Sequence, residues 1–286
     1  MKRLILTVDC PERIGIVHRV TGFLVQHDFS VIEAAEYADL ENQRFFARWE
    51  FAATDDSSDA ISISDLKNHF QAVASEFDMT WGLYDASIKA RILIAVSKFG
   101  HCLNDLLYRW KYEELPAEVV GVVSNHEDFR DAVEWYGLPY YYLPVTPESK
   151  AQQEKKVLEI MRDQNVDLLV LARYMQILSD EMCREIDGKA INIHHSFLPS
   201  FKGARPYHQA HERGVKIAGA TAHYVTSDLD EGPIIEQDVH RIEHNHDAAR
   251  ITRLGKNIEK VVLARAVYLH CQHRIFLNGG RTVIFR

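Results

Sequence analysis

The sequence predicts an α/β protein of two domains, on three observations. Its 286 residues exceed what a single hydrophobic core usually organises. The first part reads as strand, helix, strand, strand, helix, strand, which is a ferredoxin-like βαββαβ order. Beyond it, continuous apolar strands alternate with amphipathic helices, the pattern of a Rossmann-like sheet. The expected division is 1–85 and 86–286.

In the first part, Leu4–Val8 is apolar with polar interruptions and reads as a strand. A turn from Asp9 to Gly15 leads into a helix over Ile16–His27, with Ile16, Val20, Phe23 and Leu24 on one face. Val31–Ala38 and Arg44–Phe51 read as two strands of a hairpin, and 54–59 as a polar loop. Leu66, Phe70, Val73 and Phe77 give one face of a helix over Ile63–Phe77, and Met79–Tyr84 is the closing strand. Asp85–Lys89 is the expected linker.

Ile92–Val96 is an unbroken apolar run, the kind buried on both faces of a parallel sheet. A helix near Cys102–Tyr112, a strand at Val119–Val123, a helix near Asp128–Trp135 and a strand at Tyr140–Leu143 follow. Lys150–Asn165 is a charged amphipathic helix and Asp167–Leu171 a short strand. The chain ends in a long helix, roughly Asp247–His270, and a hairpin turning at Asn278-Gly279.

Composition narrows the function. A formal charge of −8 disfavours nucleic acid and anionic membranes as partners. The N-terminus carries no signal pattern, and no run approaches the roughly 18 apolar residues of a membrane span. Cys10, Cys102, Cys183 and Cys271 are scattered without a Cys-x-x-Cys and read as reduced thiols, so a cytoplasmic protein is expected.

The stretch from Ile191 to Gln237 concentrates the chemistry. A short strand at Ala190–Ile193 carries Asn192 and His194, two apart and so directed to one side, with His195 directed to the other. A helix is expected near 206–213 and a strand over Lys216–Val225; the loop after it holds Asp228, Asp230 and Glu231, and a third strand starts at Pro233. An amide, an imidazole and a carboxylate gathered at strand ends suit binding of a carbonyl oxygen, stabilisation of its oxyanion and proton transfer. Taken singly, Asn192 also fits a loop cap, Asp230 a turn residue and His223 a core histidine. Fifteen histidines raise a metal reading, yet His208, His211, His240, His244 and His246 complete no His-Glu-x-x-His or cysteine pattern, so no metal is expected. Ser196 and Ser200 lack a Gly-x-Ser-x-Gly elbow.

Asn192-Ile-His194, Ser-Phe-Leu-Pro199, Gly-Ala-Thr221-Ala-His223-Tyr-Val and Asp230-Glu-Gly232-Pro-Ile-Ile-Glu-Gln237 resemble the fold of formyltransferases that use 10-formyltetrahydrofolate, over about residues 88–286. Asp9-Cys-Pro-Glu-Arg-Ile-Gly15, between the first strand and helix, resembles an ACT domain. The whole chain resembles the formyltetrahydrofolate deformylase family. This resemblance implies hydrolysis of 10-formyltetrahydrofolate to formate and tetrahydrofolate, supplying formate for purine synthesis and balancing one-carbon pools. Folate is the substrate in that reading, and no cofactor is implied.

By the same resemblance, Asn192 and His194 donate to the formyl oxygen, and Asp230 orients His194 and accepts the proton of water. Arg173, Met175, Ile177 and Leu178 belong to the loop beside the pterin, the Thr226–Asp230 loop closes the other side, and His223 lies close by. The ACT-like half implies pairing into a homo-oligomer, at least a dimer, and an amino-acid effector. Gly15 and the helix start behind it suit such a ligand's carboxylate.

The alternative is a formyltransferase to a small amine such as glycinamide ribonucleotide. That family carries a Gly-x-Gly-Ser-Asn loop after its first strand to cradle the substrate phosphate. Here the position reads Ser97-Lys-Phe-Gly-His-Cys-Leu103-Asn-Asp, where Gly100 alone remains and bulky neighbours crowd the nest. Ser124-Asn125, a dipeptide the transferase also has, keeps the alternative open.

Overall fold

The computed structural model describes residues 2–53, 62–198 and 212–286. The loop expected over 54–59, most of the helix expected over 206–213, and Pro199, Ser200, His208 and His211 lie outside the described residues. The chain divides into two compact units, Met1–Lys89 with Gln272–Asn278 and Val283–Arg286, and Ala90–Cys271 with Gly279–Thr282.

The first unit runs β1 (Arg3–Pro11), α1 (Ile16–Gln26), β2 (Phe29–Asp39), β3 (Arg44–Ala53), α2 (Ile63–Glu76) and β4 (Thr80–Asp85). Its sheet has the order β2-β3-β1-β4, antiparallel throughout, which is the ferredoxin-like arrangement the pattern predicts. The helix stripes read from the sequence are the buried ones: Ile16, Val20, Phe23 and Leu24 on α1, and Leu66, Phe70 and Val73 on α2. They close over Val8, Trp49 and Phe51 of the sheet. Ser62 caps α2 by accepting from the Asp65 amide at 3.0 Å.

The C-terminal residues return to this unit. Phe276 and Phe285 pack on Phe46, and Arg274 pairs with Glu33 at 2.7 Å. Arg48, fully buried, donates to the Gln272 carbonyl at 3.0 Å. Strand periodicity locates that hairpin but says nothing of which sheet it covers.

The second unit runs β5 (Ala90–Val96), α3 (His101–Lys111), β6 (Ala117–Ser124), α4 (Arg130–Trp135), β7 (Tyr140–Tyr142), α5 (Lys150–Asp163), β8 (Leu168–Leu171), α6 (Asp180–Glu185), β9 (Ala190–His194), β10 (Ile217–Tyr224), β11 (Ile234–Arg241) and α7 (Ala248–Cys271). The hairpin β12 (Ile275–Asn278) and β13 (Arg281–Ile284) closes the chain. Helix α6, six residues long and capped by Ser179, escapes a reading by periodicity because it spans under two turns.

Seven strands form one sheet in the order β11-β10-β9-β8-β5-β6-β7. Strands β5 to β9 are parallel, and β10 and β11 are antiparallel additions at one edge. Register lines up Ala95 with Leu171 and Leu171 with Asn192, so the carboxyl ends of β5, β8 and β9 finish side by side. That edge of the sheet is where ligands of such folds bind. No helix among the described residues is long and apolar enough to cross a membrane, and all four cysteines are buried and free.

Candidate active site

The carboxyl end of β9 places Asn192 and His194 on one side of the strand, as alternation requires. Strand β10 then lays His223 opposite Asn192 and Thr221 opposite His194. A register shift in the β10–β11 pairing falls between Ala222 and His223, the kind of irregularity that re-aims a side chain beside a site. Asp230 arrives from the loop after β10 in a left-handed conformation, φ 58°.

The four side chains meet. His194 Nδ1 lies 3.2 Å from one Asp230 oxygen, and His223 Nε2 lies 3.7 Å from the other. Asn192 Nδ2 stands 3.2 Å from His223 Nε2 and 3.5 Å from Asp230 Oδ1. His223 Nδ1 is 2.8 Å from the Tyr224 carbonyl, which accepts only, so Nδ1 carries a proton. The Asn192 amide nitrogen faces both His223 Nε2 and Asp230 Oδ1, so its N–H groups point into the cluster.

Gly232 allows this packing. A Cβ there would stand 1.8 Å from the Tyr224 carbonyl oxygen and 3.3 Å from His223 Nδ1.

Burial by itself raises the Asp230 carboxyl. The hydrogen bonds and charges of His194 and His223 outweigh it and hold the group well below the usual carboxylate range. His195 goes the other way: burial first, then the charges of Arg173 and His194, push its imidazole down to about 4.

His194 Nδ1 is committed to Asp230, while its Nε2 is buried without a hydrogen-bond partner among the described residues. His194 also lines a cavity of about 290 Å³. Asn192, His223, Asp230, Arg173, Met175, Ile177, Leu178 and Thr226 line the same cavity, so every site residue named from the sequence borders one space. His195 lines it too, against the expectation that it turns away, because β9 ends at His194 and alternation stops there.

Several supports were missed. Ser97, at the end of β5, holds the loop after β8: its amide donates to the Arg173 carbonyl at 3.2 Å and its hydroxyl accepts from the Met175 amide at 3.0 Å. The same hydroxyl donates to Asn125 at 2.7 Å. Thr221, fully buried, donates to the Ser196 carbonyl at 2.9 Å and accepts from the Leu198 amide at 3.1 Å, which fixes the chain just beyond His194. A hydroxyl in an apolar strand was the available signal.

The loop after β5 is closed as a phosphate nest. The Phe129 ring lies 2.4 Å from where a Cβ on Gly100 would stand, so the glycine's open face is filled by an aromatic side chain. Behind it His101, Cys102 and Glu259 bring ligand-type atoms within 4.8 Å of one another. Burial raises the Cys102 thiol well above its ordinary value, the reverse of what a metal thiolate needs, and Glu259 already faces Arg173 at 3.3 Å.

A family profile described as Formyl transferase matches residues 90–267. A formyltetrahydrofolate deformylase of Corynebacterium sp. (strain P-1) is 51% identical over 284 residues, covering 99% of this chain and 98% of the relative. The crystal structure of a formyltetrahydrofolate deformylase from Burkholderia mallei superposes with a TM-score of 0.95 at 46% identity, covering the whole of both chains. A glycinamide ribonucleotide transformylase from Symbiobacterium toebii matches with a TM-score of 0.66 at 28% identity, covering 72% of this chain and 98% of its own.

Proposed function

The chain belongs to the formyltetrahydrofolate deformylase family, and from that premise we propose that it hydrolyses 10-formyltetrahydrofolate to formate and tetrahydrofolate at the Asn192–His194–Asp230 cluster. The observation that carries the site assignment is the buried, unpartnered Nε2 of His194 on a cavity wall, backed by an ionised carboxylate on Nδ1.

With Nδ1–H donated to Asp230, Nε2 has a lone pair for a proton of the attacking water. Asp230 itself, held well below the usual carboxylate range, stays ionised on Nδ1. Its part is to stay charged, fix the tautomer and stabilise the imidazolium that forms. As water attacks, the formyl oxygen becomes an oxyanion that an N–H of Asn192 meets, exchanged from its long 3.5 Å contact with Asp230. The C–N10 bond then breaks, and His194 returns the proton to N10. Formate and tetrahydrofolate leave, and the second proton of the former water goes to solvent.

Met175, Ile177 and Leu178, with Leu229 opposite, offer apolar surface for a flat heteroaromatic ring, and the backbone of 173–178 offers groups to read its hydrogen-bonding edge. The reaction is a hydrolysis and calls for no cofactor in this reading. The alternative, transfer to glycinamide ribonucleotide, is disfavoured by Phe129 filling the glycine face at Gly100. The test is to incubate the pure protein with 10-formyltetrahydrofolate, without and with glycinamide ribonucleotide, and follow formate. Formate released at an equal rate in both sustains the reading; formyl transfer only with the amine overturns it.

The first unit is assigned as an ACT-like module that pairs two chains and takes an amino-acid effector. Gly15, left-handed at φ 98°, forms the turn between β1 and the start of α1 and supports this. The working state is a homo-oligomer, at least a dimer, in the cytoplasm. Sedimentation of the pure protein, and deformylation assayed with each amino acid added, test both parts.

A further inference from the structure

Beyond the reacting cluster, the second unit holds another group of buried charges. Arg173 and Glu259 are both in the core, Glu259 only 1% exposed. Arg173 Nε lies 3.3 Å from Glu259 Oε2 but off the line of a hydrogen bond, so the pairing is chiefly coulombic. His101 Nε2 sits 2.9 Å from the same carboxylate oxygen. The Arg173 guanidinium stacks 5.5 Å from the Phe99 ring, which Lys256 also approaches at 5.8 Å. Arg173 takes a left-handed backbone, φ 64°, which an arginine adopts only where its surroundings hold it.

Arg173 and His195 line the same cavity as Asn192, His194 and Asp230, which places the guanidinium beside the reacting groups. Met175, Ile177, Leu178 and Leu229 line the cavity as well and give it apolar surface. Arg173 is the member of the charged pair that lines it, with Glu259 and Phe99 as its neighbours. A buried ion pair returns little net stability, because desolvation of both charges offsets their attraction. A small residue at 173 would need no such arrangement.

We propose that the Arg173–Glu259 pair, with His101 and Phe99, is a specificity-determining plug that occupies the approach of any nucleophile larger than water. Arg173 fills the space with its side chain, and Glu259 and Phe99 hold it there. Glu259 is thereby neutralised and unable to draw in a cationic amine. The inference rests on the hydrolytic reading above and adds the residues that confine the reaction to water. With the plug removed, a primary amine attacks the formyl carbon, forming a new C–N bond as the C–N10 bond breaks; the proton lost by the amine ends on N10, giving an N-formyl amide and tetrahydrofolate.

The test measures product partition, which is independent of total rate. Wild type, Arg173→Gly, the double variant Arg173→Gly/Glu259→Gln and Phe99→Ala are each supplied with 10-formyltetrahydrofolate and increasing glycinamide, and formate and N-formylglycinamide are quantified. The double variant leaves no buried charge without a partner, and Phe99 is an exposed side chain whose loss spares the core, so folded protein is retained for assay. Wild type is expected to give formate alone. The Arg173 variants are expected to divert at least a tenth of turnovers to the N-formyl product, with a ratio that rises in proportion to glycinamide, and Phe99→Ala a smaller share. Folded variants that make formate alone at every amine concentration overturn the plug. N-formylglycinamide from wild type overturns it as well. A wild type that releases no formate sinks the hydrolytic reading first, and is told apart by needing no variant.

Discussion

Two polar clusters in the second unit make an instructive pair. In each, a carboxylate is held at the core edge by nitrogen groups: Asp230 by His194 and His223, and Glu259 by Arg173 and His101. They differ in what is left over. The Asp230 cluster keeps Nε2 of His194 unpartnered beside a cavity. The Glu259 cluster leaves Arg173 Nε and His101 Nδ1 without a hydrogen bond and sets its charges against one another and a stacked ring. The imidazole nitrogen left over at the cavity can take and return a proton, whereas the Arg173 guanidinium that lines the same cavity cannot. The energetic signature is the same in both, a buried charge with a partner, so burial alone does not tell them apart.

The comparison breaks most sharply at the reacting cluster. His194→Ala and Asp230→Ala should each lower kcat by about 10²–10⁴ while circular dichroism shows a folded chain. Asn192→Ala, which removes one donor to the oxyanion, should cost about 10²–10³ in kcat with little change in KM. Near-normal turnover in any of these would remove that residue from the mechanism and erase the contrast.

Next comes His195, which lines the same cavity. Its imidazole stays neutral in the fold down to about 4, whereas in the unfolded chain it takes a proton near 6.5. Between those values the unfolded state binds more protons, so stability falls as the pH falls through the window and is unaffected above it. The loss approaches about 3 kcal/mol at the acid end. Urea unfolding at pH 7 and pH 4.5 should show His195→Gln losing less stability on acidification than wild type. Asp230 has the same sign of dependence in a more acidic window. Its depressed carboxyl stabilises the fold above the ordinary carboxylate range, and that contribution is lost only as the pH falls below it.

The smallest effect belongs to Ser97. Ser97→Ala removes the hydroxyl that accepts from the Met175 amide and donates to Asn125, worth about 1 kcal/mol. KM for the folate should rise about fivefold with kcat kept. An equal fall in kcat would place Ser97 in the reaction itself rather than under the binding loop.

Much of the fold was legible because it depends on local patterns. The stripe Ile16, Val20, Phe23, Leu24 and the run Ile92–Val96 each contain their own answer: one buried helix face, one strand buried on both faces. The pairing of Asn192 with His194 follows from strand alternation, and the assignment of Asp230 came from resemblance, not from any rule of spacing.

Other features needed contacts remote in the chain. Glu259 sits on the buried side of α7 with Ile251, Gly255 and Leu263, four residues apart in turn, and a charge in that stripe was a readable anomaly. Its partner Arg173, 86 positions earlier, was not readable from it. The closed nest at Gly100 depends on Phe129, and the C-terminal hairpin's place in the first unit depends on Phe46.

The amino-acid sequence by itself determined the order of elements, the two kinds of sheet and the residues that reach the carboxyl end of β9. Helix and strand periods of 3.6 and 2 are properties of neighbouring backbone units. Only the tertiary structure decided which charges face each other, which imidazole nitrogen is left for the substrate, and which side of the cavity is walled. Those outcomes are set by distances between groups far apart in the chain, where electrostatic and packing forces act through space rather than along the backbone.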